Sequence, residues 1–149
     1  MSVLCDSPLG PLGADAKDGR ITRLRWGPGN LRAGSLADRL RDELAAYFAG
    51  RLTRFSVPLN IAGTAFQQAF LTALTDIPFG QTRTYGELAL QLGVSAQAIG
   101  QACGANPIPI LIPCHRVLGA RDLGGFSGPR GIEDKVALLR HEGAAGLLI

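Results

Sequence analysis

The sequence predicts an α+β fold, with a small N-terminal α/β module over residues 1–62 and a mostly helical domain over 63–149. Three observations carry this reading. The segment Ile21-Thr22-Arg23-Leu24-Arg25-Trp26 alternates apolar and basic side chains, the two-residue period of a half-buried strand. From Ser35 the apolar period becomes helical, and beyond Gly63 three further helical segments start just behind Thr64, Thr84 and Ser95. Apolar residues make up 46% of the chain and charged ones 18%, a balance that supports a buried core.

Taken in order, Ser7-Pro8-Leu9-Gly10-Pro11-Leu12-Gly13 is rich in turn residues, and Asp18-Gly19 marks a hairpin ahead of the 21–26 strand. Gly27-Pro28-Gly29-Asn30 breaks that strand. The helix from Ser35 sets Leu36, Leu40, Leu44, Tyr47 and Phe48 on one face and closes at Gly50. A short strand over Arg54–Leu59 completes the module. Thr64 then caps a helix carrying Phe66, Phe70, Leu71 and Leu74, which Ile77-Pro78-Phe79-Gly80 ends. Thr84 caps a helix from Tyr85 to Leu92, Gly93-Val94 turn the chain, and Ser95 caps another helix to about Cys103. Two short helices joined by such a turn predict a helix-turn-helix, with Ala89 and Ile99 packing the pair. Residues 119–131 hold five glycines and a proline, a loop by composition. Ile132–Glu142 reads as a helix with Glu133 and Asp134 in its first turn, Arg140 and His141 in its last, and Gly143 closing it.

Charge and cysteine usage narrow the chemistry. The net charge is +3, but residues 1–62 hold nine Lys/Arg against six Asp/Glu, while 63–149 hold six of each. Strong phosphate neutralisation is therefore not the main device of the second half. No apolar run approaches the ~18 residues of a membrane span, and no basic-then-apolar leader is visible. The expectation is a cytoplasmic protein with no membrane contact. Cys5, Cys103 and Cys114 form no C-x-x-C pair, which favours free thiols in a reducing compartment. His115 and His141 have no metal-like spacing to a second ligand, so a metal site is not expected.

The stretch Asn106-Pro107-Ile108-Pro109-Ile110-Leu111-Ile112-Pro113-Cys114-His115-Arg116-Val117 carries the chemistry. A thiol becomes a nucleophile when a neighbour takes its proton, and His115 is the adjacent candidate. In an extended strand the two side chains would point to opposite faces. A helical turn after Pro113 would let both face one pocket, and its N-terminus would lower the thiol pKa. The dipeptide alone is equally the pattern of a buried structural cysteine beside a solvated histidine. Glu142 adds weight, because a carboxylate in a last helical turn opposes the helix dipole and such breaches often mark function. It would orient His115 and complete a Cys-His-Glu relay; the bland counterpart is a frayed, solvated glutamate.

Gly63-Thr64-Ala65-Phe66-Gln67, Ile77 through Tyr85, Asn106-Pro107, Pro113 through Val117 and His141-Glu142-Gly143 together resemble the O6-alkylguanine-DNA alkyltransferase family. Ser7-Pro8-Leu9-Gly10 fits as well, and the likeness is strongest across residues 63–143. The resemblance implies a winged helix-turn-helix-like C-terminal domain that binds duplex DNA containing O6-alkylguanine through the minor groove and flips the base. Cys114 would accept the alkyl group, from O6 of guanine or O4 of thymine, once and irreversibly. His115 would take the thiol proton through a water, and Glu142 would hold His115. Tyr85 would hydrogen-bond the base, and Asn106 would brace the turn below the DNA-binding helix. Ser95, Ala96, Gln97 and Gln101 on that helix, with Arg116, Ser127 and Arg130, are the expected DNA contacts. A monomer without cofactors, associated with the nucleoid when bound to DNA, is implied.

The chain departs from the family pattern at Gln97, where an arginine usually fills the gap left by the flipped base. The loop over 124–131 is longer than usual and carries Phe126 where tyrosine is common, and Arg130 is a candidate to replace a phosphate contact. Cys103 lies near the pocket and reads as structural. Two other classes remain open at this level. A lesion-recognition protein with weak or no transfer is the alternative that Gln97 supports, and a Cys-His-Glu hydrolase is the other.

Overall fold

Asp18 and Gly19 both take positive φ, 54° and 75°, the pair of left-handed residues that a tight hairpin needs. They join β1 (Gly13–Lys17) to β2 (Arg20–Arg25) as an antiparallel ribbon, bulged between Asp15 and Ala16. The computed structural model describes residues 1–126 and 128–144. By internal contacts the chain divides into two units, Met1–Ile61 and Ala62–Ile149.

In the first unit, α1 (Ser35–Phe48) buries Ala37, Leu40, Leu44 and Tyr47, and the ribbon buries Ala14, Ile21 and Leu24. Each large apolar side chain so buried contributes about 1.5–3 kcal/mol. The strand expected over Arg54–Leu59 does not form. Its only ladder contact is a parallel bridge between Leu59 and Ile21. The N–H groups of Ser56 and Val57 donate instead to the Glu43 carboxylate, at 2.8 and 3.2 Å, and Pro58 has no N–H to offer.

The second unit starts with α2 (Ala65–Thr75) and α3 (Tyr85–Leu92), each opened by a complete capping box. The hydroxyl of Thr64 accepts from Gln67 N and that of Thr84 from Glu87 N, while Gln67 and Glu87 reach back to the cap N–H groups. Gly93, at φ 70°, ends α3 in the left-handed conformation, and the Ser95 hydroxyl accepts from Ala98 N to start α4 (Ala96–Gly104). Ala89 and Ile99 are buried, as the helix-turn-helix reading requires.

Two further connections position the site. A single 3₁₀ turn spans Cys114–Arg116 and runs into β4 (Val117–Leu118), which pairs in parallel with β3 (Arg83–Thr84). That pairing ties the start of α3, where Tyr85 lies, to the residues just after Cys114. The last helix, α5 (Ile132–His141), buries Asp134, Lys135, Leu138 and Leu139 and places Glu142 at its C-cap, one residue earlier than the sequence predicts.

Candidate active site

The approach to Cys114 is built by Asn106. Its Nδ2 donates to Ile112 O at 2.8 Å and its Oδ1 accepts from Ile108 N at 3.0 Å, so one buried side chain clamps both ends of the intervening turn. Inside the clamp the backbone is strained. Ile110 has φ 72°, and Leu111 N bonds Pro109 O at 2.9 Å across it, a three-residue turn of the left-handed kind. A buried β-branched residue in that region is held against about 1–3 kcal/mol. Cys114 N then donates to Ile112 O at 2.8 Å around Pro113 (φ -81°, ψ 66°), an inverse turn of the same size. The nucleophile candidate is therefore fixed by two successive tight turns before its own 3₁₀ turn begins.

Cys114 is 5% exposed and lies on the wall of a cavity of about 380 Å3, shared with Tyr85, Gly100, Cys103, Gly104, Gly124, Gly125 and Phe126. Gly124 lies so close to Tyr85 that a Cβ there would collide with the phenol. The expected lowering of the thiol pKa is not found. Burial pushes the Cys114 thiol up, and a hydrogen bond from the Asn106 side chain and the Lys135 charge pull only partly the other way. A three-residue turn, with few aligned peptides, supplies little of the expected dipole.

Beside the thiol, His115 is fully buried and its Nε2 lies 2.8 Å from Glu142 Oε2. Burial depresses the imidazole pKa more than the carboxylate raises it, so the neutral ring is favoured. With Glu142 ionised, Nε2 carries the proton and donates it, which leaves Nδ1 as a lone-pair acceptor. Nδ1 is buried and has no hydrogen-bond partner among the described residues. Glu142 itself is held well below the usual carboxylate range. Burial would raise it, but the hydrogen bonds from His115 and Arg116 together prevail. Glu142, expected from the sequence to orient His115, lies against the imidazole and is buried rather than frayed.

Arg116 requires a correction. Expected as a DNA contact, it is 6% exposed and its guanidinium is fully committed indoors. Nε donates to Glu142 Oε1 at 2.8 Å, Nη2 to Glu142 Oε2 at 3.0 Å, and Nη1 to Ile77 O at 2.6 Å. It braces Glu142 as a fork against both carboxylate oxygens.

Sequence reasoning missed Lys135. This fully buried lysine donates from Nζ to Val117 O at 2.6 Å and to Gly125 O at 3.1 Å, and stands 5.7 Å from the Tyr85 ring centre. Burial lowers its pKa, while Cys103, Cys114 and Asp122 act to raise it. The signal was present in the spacing: Lys135 shares the i, i+3, i+4, i+7 stripe of Leu138, Leu139 and Glu142. Tyr85 is half-buried, and burial first, then Cys103, pushes its phenol up.

Ser95, Ala96, Gln97 and Gln101 all lie exposed on α4 or at its cap. Arg130 is exposed but ion-paired to the buried Asp134 at 2.9 Å, and its backbone N–H also bonds that carboxylate. Ser127, the remaining expected DNA contact, lies outside the described residues. Among the described residues no cluster of His, Cys, Asp and Glu could hold a metal, and no helix is long and apolar enough to cross a membrane.

Comparison with known proteins agrees with this architecture. Residues 65–144 match the family model for the DNA-binding domain of 6-O-methylguanine DNA methyltransferase. The methylated-DNA–protein-cysteine methyltransferase of Mycobacterium tuberculosis is 45% identical over 152 residues, covering 92% of this chain and 88% of that protein. Its counterpart in Methanosarcina acetivorans is 47% identical over 105 residues, 68% of this chain and 66% of its own length. The crystal structure of M. tuberculosis OGT in complex with DNA superposes with a TM-score of 0.80 at 43% identity, covering 93% of this chain and 90% of the other. The O6-methylguanine DNA methyltransferase of Methanococcus jannaschii follows at 0.68 and 26% identity, covering 93% and 92%. With its α+β fold, its helix-turn-helix and a buried Cys-His-Glu constellation, this chain belongs to the methylated-DNA–protein-cysteine methyltransferases, the direct-reversal enzymes of DNA repair.

Proposed function

We propose that Cys114 is the acceptor of the alkyl group and that the substrate is O6-alkylguanine in duplex DNA, flipped into the cavity beside Tyr85. The observation that carries this reading is the buried His115–Glu142 pair next to a cysteine on a cavity wall. Cys114 Sγ attacks the carbon on O6, the C–O bond breaks, and the guanine anion leaves and takes up a proton. His115 Nδ1 receives the thiol proton through a water, and the imidazolium that forms is stabilised by Glu142. The neutral resting state of His115 suits a base. Arg116 keeps Glu142 ionised and aimed, and Asn106 holds the turn that presents the thiol. Tyr85 hydrogen-bonds the base as negative charge develops on it. The thioether product is stable, so each chain acts once.

The DNA-facing surface in this proposal is α4 with its cap, through Ser95, Ala96, Gln97 and Gln101, helped by Ser127 and Arg130. The protein acts as a monomer, without a cofactor, in the cytoplasm and on the nucleoid. Residues 63–149 carry both DNA binding and alkyl acceptance, and the N-terminal module supports them. Incubation with a duplex holding one O6-methylguanine, followed by intact mass measurement, tests this. The expected result is a gain of one methyl per chain that stops there and is absent in Cys114→Ser. Tight lesion binding without a mass gain would instead select the lesion-recognition reading that Gln97 supports.

A further inference from the structure

The cavity beside Cys114 has a second thiol on its wall. Cys103 sits in the last turn of α4, and Gly100, Cys103 and Gly104, spaced i, i+3, i+4, are the three positions this helix gives to that wall. Both glycines lack side chains, and a Cβ built at either meets nothing within 4 Å. Cys103 is thus the single side chain that α4 brings to the space shared with Cys114. The opposite face of α4, with Ala98, Gln101, Ala102 and Ala105, lines a separate groove against α2. Nothing in the proposed transfer uses Cys103.

We infer that Cys103 is the redox partner of Cys114, positioned across the cavity to close a disulfide with it when a two-electron oxidant such as a peroxide enters the site. Cys103 is half-buried where Cys114 is buried, so it meets a solvent-borne oxidant first. Its sulfur attacks one peroxide oxygen, the O–O bond breaks, and a sulfenic acid and water result. Cys114 Sγ then attacks that sulfur, the S–S bond forms, the S–O bond breaks, and hydroxide leaves with the Cys114 proton as a second water. Two thiols and one peroxide give one disulfide and two waters. The electrostatics agree with a shared space: the Cys114 thiolate raises the pKa of Cys103, and Lys135 lowers both. Burial pushes Cys103 up to about 12, so the closure speeds up as pH rises and thiolate accumulates. The disulfide withdraws the methyl acceptor reversibly and shields it from the irreversible sulfinic and sulfonic acids.

The test treats the full chain with hydrogen peroxide, blocks remaining thiols with iodoacetamide and maps the cysteines by mass. The expected outcome is a loss of two hydrogens, a Cys103–Cys114 peptide pair, and restoration of both thiols by dithiothreitol. In Cys103→Ser, and in Cys103→Ala as a second variant, peroxide should drive Cys114 to sulfinic acid, and most of each variant's own untreated alkyl uptake should be lost beyond rescue. A parent chain in which Cys103 remains alkylatable while Cys114 alone is oxidised overturns the inference, as does equal rescue in parent and variants. The peptide map reads the bridge without any DNA, so it fails or succeeds independently of the proposed alkyl transfer.

Discussion

The floor of the cavity and the outer face of α4 handle charge in opposite ways. Beneath Cys114, His115, Arg116, Lys135 and Glu142 are all buried and tied by hydrogen bonds of 2.6–3.1 Å. From Ser95 to Cys103 there is no charged residue at all, and the polar side chains exposed there are Ser95, Gln97 and Gln101. Proton transfer needs charges whose positions are fixed before the substrate arrives, and burial with hydrogen bonding fixes them. A helix that enters a groove needs slimness first, and small side chains supply it. Under the proposed function, the second unit concentrates its charge beside the reacting thiol and leaves α4 little for holding phosphates.

The largest expected effect comes from breaking the buried network. Glu142→Gln leaves the Arg116 guanidinium buried against a neutral amide, and unfolding in urea should show a loss of about 3–5 kcal/mol. Methyl uptake per unit time should fall with it, since His115 loses its anionic partner. Acid should probe the same network. His115 is lowered in the fold, so the unfolded chain gains that proton first as pH falls below about 6.5. Glu142 is also lowered, so a second decline should set in through about pH 4.3, where the unfolded carboxyl titrates. Melting temperature against pH should show both phases, and the lower one should shrink in Glu142→Gln. A flat profile would mean that these buried charges are not linked to folding.

A smaller change is expected from Asn106→Ala, which leaves Ile108 N and Ile112 O without their partner. Each buried group so orphaned costs about 1–3 kcal/mol, measurable by denaturant midpoint. Methyl uptake should drop by more than a stability loss explains, because the Cys114 thiol also loses a hydrogen bond. The smallest structural effect, and the sharpest contrast, is Gln97→Arg on the uncharged face. It should leave the melting temperature within experimental scatter, tighten DNA binding, and steepen the dependence of log K on log salt by about 0.9. An unchanged slope would remove Gln97 from the DNA contact.

Local chemistry was legible in the sequence wherever a partner lay within a few residues. The helix caps at Thr64, Thr84 and Ser95 and the Asp18-Gly19 hairpin all depend on neighbours no more than three positions away. The strand over 54–59 failed because its backbone N–H groups are taken by Glu43, thirteen and fourteen residues earlier. Arg116 failed for the same reason at longer range. Its partners Ile77 and Glu142 lie 39 and 26 positions away, and no local pattern distinguishes a buried arginine from a phosphate-binding one. Lys135 was readable from its helical stripe, but a lysine on such a stripe is ordinarily taken for a solvated edge.

The left-handed Ile110 has a consequence for when this protein is competent at all. Local preference drives an isoleucine out of that conformation, so only the Asn106 clamp and the surrounding packing keep it there. In a nascent chain, or one partly melted at this corner, the backbone is expected to relax to an ordinary extended form, which leaves Cys114 no longer held on the cavity wall. The thiol placement that the proposed transfer requires thus exists only in a finished molecule, and alkyl uptake would double as a certificate of correct folding.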